Sequence, residues 1–428
     1  MAAALRPLRL PAFPTLGSAY LVNELGNWLG EIALAVLVFD QTDSTLATAG
    51  LFLGVHFAPA FLTPPLVSRL DGVNARRVLP ALYATEAGAF AVLALLAEDF
   101  ALAAVLAIAT FDGAIASAAR ALTRASAAAV LAPAGQLREG NALLNVAFTA
   151  GAAVGPALGG LVVAGAGVEV ALLADAASFI CVAALLAATR SLPTPATEPD
   201  ERGWSVRLRR GFAYVRERAP LRRLLSAQAA AFVFFATVIP IEVAFAKETL
   251  DASDFGYGLM LASWGTGMVV GSLVFAAVRR VPLPALLIVS TLAIGAAYLG
   301  MGAAPSLAVA CTASAIGGTG NGIQWVALVT AVQELTRATY QARVLALLEA
   351  LASAMPGIGF LLGGAVAAVL DPRASFAVAG TGVLVVLVFA IARLRGVEWH
   401  PELEQGPSAP PATSVAGHGG PGTALSGS

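Results

Sequence analysis

A chain of 428 residues that is 58% hydrophobic and only 12% charged is not a water-soluble domain, because soluble domains carry about 25% charged residues. Its formal net charge of −1 points to no polyanionic partner, so no nucleic acid is expected. Two cysteines (Cys181 and Cys311) and three histidines (His56, His400 and His418) make neither a disulfide framework nor a metal-ligand pattern, so no metal and no cofactor are expected.

A membrane-spanning helix needs about 20 predominantly apolar residues. Stretches of that kind lie near 16–39, 46–68, 77–97, 100–119, 142–166, 169–189, 222–246, 256–278, 282–302, 306–332, 344–370 and 374–394. The expected fold class is therefore an all-α membrane protein of twelve transmembrane helices. The first span follows Arg6 and Arg9 and is too long for the apolar core of a signal peptide, so it reads as a retained span. It carries Glu24, Asn27 and Glu31 on one helical face, with Asn23 beside them. Ionisable groups inside a span cost about 2.5–3.5 kcal/mol each on insertion scales, which makes them functional candidates. Desolvation disfavours the charged form of a carboxyl group. A carboxyl on a cavity wall can therefore load a proton from one side, release it to the other, or trade it for a cationic substrate. Glu31, the deeper of the two acids, is the leading candidate; helix-packing hydrogen bonds are the alternative.

His56, near the centre of the second span, reads as a packing residue, and Glu86 in the third span as a packing acid. In the fourth span Asp112 is a proton or substrate candidate, or else a structural bridge to an arginine such as Arg120, two turns on. Arg120 and Arg124 mark the place where this span is expected to reach water. The fifth span strings Gly151, Gly155 and Gly159 at four-residue spacing, followed by Gly160, with Pro156 after the middle glycine. Small residues four apart let helix backbones approach closely in lipid, and a proline is tolerated where neighbouring helices satisfy the freed carbonyl. Asp175 and Glu242 lie toward the ends of their spans and read as structural or gate residues.

Residues 204–216 alternate Val206, Phe212, Tyr214 and Val215 with arginines, which suits a helix lying on an anionic leaflet or a solvated linker. In the tenth span Asn321, Gln324 and Trp325 stand at i, i+3 and i+4 and could wall a substrate cavity, with Asn23, Asn27 and Gln228 joining them. Glu349, at the start of the eleventh span, is a candidate inner gate or proton relay. The tail after Glu398 is rich in Pro, Gly and Ser and is expected to be disordered. No Walker-type phosphate loop, His-Glu-x-x-His or Gly-x-Ser-x-Gly occurs, which argues against ATP as direct energy source and against an enzyme.

With a cytoplasmic N-terminus, alternate connections should collect the cations, and 23 of the 25 Lys and Arg residues fall there. A wrong helix count would scramble that alternation, so twelve spans with both termini cytoplasmic are expected in the cell membrane. A shift of about 203 residues brings Arg76-Arg77-Val78 onto Arg279-Arg280-Val281, and a shift of 204 brings Gly155 and Gly159-Gly160 onto Gly359 and Gly363-Gly364. The implied organisation is a parallel repeat: a six-helix bundle over 1–189, a linker with an amphipathic segment over 190–221, a second bundle over 222–396 and a tail over 397–428.

With these features the chain resembles the major facilitator superfamily. The run Gly151-x-x-x-Gly155-Pro156-x-x-Gly159-Gly160 matches the fifth-helix pattern of drug–proton exporters. Asp71-Gly-Val-Asn-Ala-Arg76-Arg77 looks like the superfamily's acidic-then-basic connection, although Val67 and Gly72 replace its usual glycine and arginine. Arg138-Glu-Gly-Asn141, Asp175-Ala-Ala-Ser178-Phe179 and Gly211-Phe-Ala-Tyr214 are similar to the branch that contains enterobactin and macrolide exporters. The resemblance implies gating roles for Asp71, Arg76, Arg77 and Arg120, and helix packing by the glycine–proline run. It implies export of a small amphiphilic compound by proton antiport through alternating access, with Glu24, Glu31, Asp112 and Glu349 as proton-coupling candidates. The alternatives are a solute importer or facilitator, and a scaffold or sensor that no longer transports. The expected partners are the lipid bilayer, a small molecule and protons, and the chain is expected to act as a monomer.

Overall fold

The computed structural model describes residues 5–70, 74–189, 192, 204–278, 280–336 and 338–394. Asp71 and the tail lie outside them, and with them the gate role expected of Asp71 and the expected disorder of residues 397–428. Away from water every backbone N–H and C=O must be satisfied within the protein, and the helix does this within one segment. The long apolar runs accordingly fold as helices: α1 (Phe13–Thr42), α2 (Thr45–Phe52), α3 (Pro59–Leu70), α4 (Ala75–Glu98), α5 (Leu102–Leu131), α6 (Leu137–Ala166), α7 (Val168–Ala188), α8 (Trp204–Glu217), α9 (Ala219–Ala236), α10 (Glu242–Ala244), α11 (Asp254–Ala277), α12 (Leu283–Gly302), α13 (Leu307–Glu334), α14 (Ala338–Val369) and α15 (Pro372–Leu394).

Two of the spans are interrupted. Between α2 and α3 the chain widens into a π-helical turn over Leu53–Phe57, directly before Pro59, which has no N–H to donate. The seventh span breaks after α9 at a 3₁₀ turn, Ile239–Ile241, centred on Pro240, and resumes through α10 into a second π turn, Phe245–Thr249. Widened turns of this kind re-aim side chains and occur often at functional sites.

Eleven helical stretches are long and apolar enough to cross a membrane. The twelfth expected span is present as α13, 28 residues packed between α11 and α12; its Thr, Asn, Gln and Gly residues make it less apolar than the others. α1 to α7 form one bundle, and α9 to α15 the other. The bundles meet mainly where α6 packs on α11 and α2 on α14. Those pairs, fifth span with eighth and second with eleventh, exchange under a six-span shift, as a parallel repeat requires.

Two expectations need correcting. α5 does not end at Arg120; it runs 30 residues to Leu131, about 45 Å at 1.5 Å per residue. Its arginines are held by protein groups: Arg124 Nη2 donates to the Tyr20 hydroxyl at 2.6 Å, and Arg120 faces Glu24. The amphipathic α8 does not rest its apolar face on lipid either. Tyr214 and Val215 are buried in a cluster with Leu221, Leu328 and Val344, and the Tyr214 ring stacks on Tyr340 at 4.2 Å. Phe212 on the same helix is exposed.

Candidate functional site

The polar face of α1 was expected to look into a cavity, and it does. A cavity of about 570 Å³ lies between the bundles, walled by Glu24, Asn27, Trp28 and Glu31 of α1 and by residues of both bundles. Its volume is within the range of drug-sized ligand sites, about 300–1,000 Å³. Asp112 and Arg120 of α5 reach the same wall, as do His56 of the π turn, Glu242 of α10 and Asn321 of α13. Asn23 is buried but is not part of this wall, because it is rotated about 100° from Glu24 on the helix.

The charges of the cavity are unbalanced. Four carboxyl groups (Glu24, Glu31, Asp112 and Glu242) face it against one guanidinium, Arg120, and one imidazole, His56. Arg120 Nε stands 3.8 Å from Glu24 Oε1, near enough to pair electrostatically and too far to hydrogen-bond. His56 Nε2 is 3.5 Å from Glu31 Oε2, and the imidazole lies between Phe52 at 5.7 Å and Phe360 at 6.3 Å, ring centre to ring centre. Asp112 Oδ1 and the Asn27 amide nitrogen are buried without a hydrogen-bond partner among the described residues. The rest of the wall is aromatic: Trp264 stacks on Tyr298 at 5.3 Å and meets Phe235 at 5.7 Å. Carboxylates among aromatic faces suit a cation with an apolar body or protons.

Behind α1, away from the cavity, Asp175 of α7 is fully buried and accepts a hydrogen bond from Ser178 Oγ at 3.1 Å. Its carboxylate lies against the bare backbone of Gly26 and Gly30, so a side chain at either glycine would collide with it. Glu86 is also fully buried, with neither carboxyl oxygen hydrogen-bonded among the described residues.

The end of the molecule opposite the termini is closed. Lys247, the only lysine of the chain, donates to Asp40 Oδ1 and Oδ2 at 2.6 and 2.7 Å and pairs with Asp254 at 2.7 Å. That joins the end of α1 to the second bundle. Beneath it the glycine–proline run touches two helices at once. Gly151 and Gly159 abut Glu24 and Ile32 of α1, and Gly155 abuts Trp28. Gly160 stands so close to Gly258 of α11 that a Cβ added to it would lie 3.1 Å from the Gly258 Cα. Thr45 Oγ1 donates across to the Gly364 carbonyl at 3.1 Å.

The predicted candidates thus divide. Glu24, Asn27, Glu31, Asp112, Arg120 and Asn321 converge on the central cavity. Gln228, Gln324 and Trp325 do not; with Asn321 they line a smaller space inside the second bundle, and Gln228 and Gln324 also line a second space there. Glu349 is exposed and lies one turn toward the termini from Ala352 and Ser353, which do line the cavity. It sits three turns inside α14, at the start of the membrane-spanning stretch Leu347–Val369, as expected. Arg76 and Arg77 are exposed at the start of α4. His56, expected to serve packing, and Glu242, expected to be a structural or gate residue, stand on the cavity wall, and Trp264, of which nothing was expected, joins them. The available signal was Trp264 and Trp28 at mid-span, where membrane proteins keep their tryptophans mostly at the interfaces.

The sequence matches the model of a family described as transmembrane secretion effector over residues 2–416. No curated protein matches it. Among solved structures it is similar to a nucleoside transporter at 13% identity, with a TM-score of 0.72, covering 90% of this chain and 100% of that chain. It is also similar to a bacterial homologue of the human lysosomal transporter Spinster in an inward-facing and occupied conformation, at 14% identity and a TM-score of 0.70, covering 90% of this chain and 97% of that chain. A bacterial homologue of the iron transporter ferroportin in an inward-facing state aligns at 15% identity with a TM-score of 0.70, covering 89% of this chain and 98% of that chain. At such identities these likenesses establish the fold.

Proposed function

The chain belongs to the transmembrane secretion effector family and is a membrane transporter of the major facilitator type; from that premise we propose that it exports a small amphiphilic compound in exchange for protons. The observation that carries this is the central cavity, with its four carboxyl groups facing one arginine and one histidine within an aromatic wall. An amphiphilic cation fits that wall, and protons can replace it on the same acids. The Glu31–His56 pair and the Glu24–Arg120 pair are the proposed exchange points, with Asp112 as the further acid on the wall.

In this reading both termini are cytoplasmic, the closed end around Lys247 faces outward and the cavity is accessible from inside, in a cell membrane. The unequal distribution of arginines between the two ends supports that orientation. The two bundles, 1–189 and 222–396, rock about the cavity. The family's description as a secretion effector and the exporter-like glycine–proline run favour the outward direction.

Reconstituted protein tests this with ethidium, a planar lipophilic cation. Proteoliposomes loaded with acidic buffer and diluted into neutral buffer should accumulate ethidium from outside while their lumen alkalinises, and prior dissipation of the gradient by a protonophore should abolish the accumulation. Ethidium movement that ignores the proton gradient, or that runs in the same direction as the protons, would overturn antiport.

A further inference from the structure

The second bundle contains a chamber of its own. It takes up about 200 Å³ between α9, α12, α13 and α15 and is partly open to the surface, where Ile288 is exposed. Leu224, Leu287, Ile288 and Leu387 supply apolar walls, and Gln228, Gln324 and Thr291 supply the polar groups. None of the residues lining it carries a charge, in contrast to the central cavity. A space of about 40 Å³ adjoins it, sharing Gln228, Ala231 and Gln324 with the chamber and Phe235 and Asn321 with the central cavity. The chamber is therefore the outermost of three neighbouring spaces and lies toward the end that holds the termini.

Its polar groups are incompletely used. Gln324 Nε2 donates to Thr291 Oγ1 at 2.8 Å, and Thr291 Oγ1 donates to the Leu287 carbonyl at 2.7 Å. Gln228 is 9% exposed, and no hydrogen bond from another described residue reaches its amide. A ligand with its own donor or acceptor supplies the partner that the surrounding apolar wall does not. A charged ligand would meet no counter-charge here and would lose its hydration without compensation. The volume is below the range of whole drug-sized ligands and fits a ring or a short alkyl arm.

We propose that this chamber is a second binding site, taking an uncharged ring-sized molecule, or the uncharged arm of a larger amphiphile, hydrogen-bonded by Gln228 and Gln324. All of its walls belong to the second bundle, so occupancy does not depend on how the two bundles are arranged. The inference goes beyond the export reading and does not rest on it.

Cysteine labelling of the full chain in liposomes tests it. In a Cys181→Ala, Cys311→Ala background, Ala227→Cys places a thiol in the chamber wall, and Ile288→Cys serves if that variant does not fold. N-phenylmaleimide, itself uncharged and ring-sized, should label the thiol. Benzamide should slow labelling at least fivefold, whereas benzoate and benzylammonium should leave it within twofold. Gln228→Leu should abolish the benzamide protection without changing the unprotected rate. An unreactive thiol, protection that is equal in Gln228→Leu, or labelling that is blocked in lipid but free in detergent would each overturn the proposal; the last outcome would mean that a lipid chain occupies the chamber. No proton gradient is present in this measurement, so its failure leaves antiport untouched, and a failure of antiport leaves the protection intact.

Discussion

At the scale of single residues, the cavity acids do not stand in equivalent places. Glu24 is buried to 3% exposure and faces the Arg120 guanidinium, while Glu31 is more accessible and faces a histidine. Removing the Glu24 charge leaves Arg120, a permanent cation, without its counter-charge; removing that of Glu31 strands no permanent charge, because its partner is an imidazole. Glu31→Gln is therefore expected to keep the protein's thermal stability and ethidium binding, and to lose at least tenfold in proton-driven flux. Glu24→Gln should lower both flux and melting temperature. Proteoliposome flux beside melting in detergent checks the pair; full coupling in both variants would remove these acids from the mechanism. A second residue-scale expectation concerns the back of α1. A methyl group at Gly30 would run into the Asp175 carboxylate and the Phe90 ring, and overpacking of a tight site typically costs about 1–3 kcal/mol. Gly30→Ala should lower the melting temperature by several degrees. Gly17→Ala, with nothing within 4 Å of the added carbon, should match or exceed the wild type, because alanine favours the helix. Equal melting of the two variants would contradict the packing.

At the scale of elements, α6 is defined by the two surfaces that its glycines serve. Gly155 and Gly159 seat it on α1, and Gly160 seats it on α11 of the other bundle. Gly160→Ala puts a methyl group against backbone that cannot rotate away, so it should disfavour the arrangement in which α6 and α11 touch at this end. Gly165→Ala lies on the same helix with open space around it and should leave transport unchanged. Flux measured for the two variants decides; equal loss would mean that helix flexibility, and not contact with α11, is what the glycines provide. This motif was readable from the chain because small residues at four-residue spacing have one physical use in lipid. The helices were legible for a similar reason, since length and hydropathy determine a span almost alone. α5 was misread at its end because an arginine looks the same to a sequence reader whether it meets water or Glu24. His56 reads as a packing residue in the sequence because its place on the cavity wall depends on the π turn before Pro59, which no residue-by-residue periodicity reveals. Gln228 of α9 and Gln324 of α13 line smaller spaces within the second bundle. Their separation from the acids was hidden, since it depends on which of several spaces a helix face meets after packing.

At the scale of the whole molecule, transport requires that the closed end open, and the contacts holding it shut are few and specific. Lys247 bridges Asp40 on the first bundle and Asp254 on the second, with side-chain exposures of 20%, 46% and 23% respectively. Only the Lys247–Asp40 pair crosses between the bundles, and a partly exposed ion pair contributes at most about 1 kcal/mol, so it biases the closed arrangement by up to about 1 kcal/mol. A bias of that size changes a two-state ratio by roughly fivefold; it can hold a gate without locking it. Lys247→Met removes the bridge while keeping the apolar stem, and it should shift the population toward opening at this end. Spin labels at Glu98→Cys on the first bundle and Ser306→Cys on the second, both exposed in the wild type and introduced in the Cys181→Ala, Cys311→Ala background, would report it. A longer-distance population in pulsed dipolar spectra should grow in Lys247→Met. High salt should produce a smaller change of the same sign in the wild type, because screening weakens partly exposed pairs. Unchanged spectra in both would place the restraint in the α6–α11 and α2–α14 packing, and the charge network would then be an adornment of a gate held by close helix contacts. Because the bridge spans only the closed end, its loss should leave the central cavity's own acids unaffected. Ethidium affinity measured in detergent should then stay within about threefold while the distance distribution moves, a separation that a general unfolding of the variant would not produce.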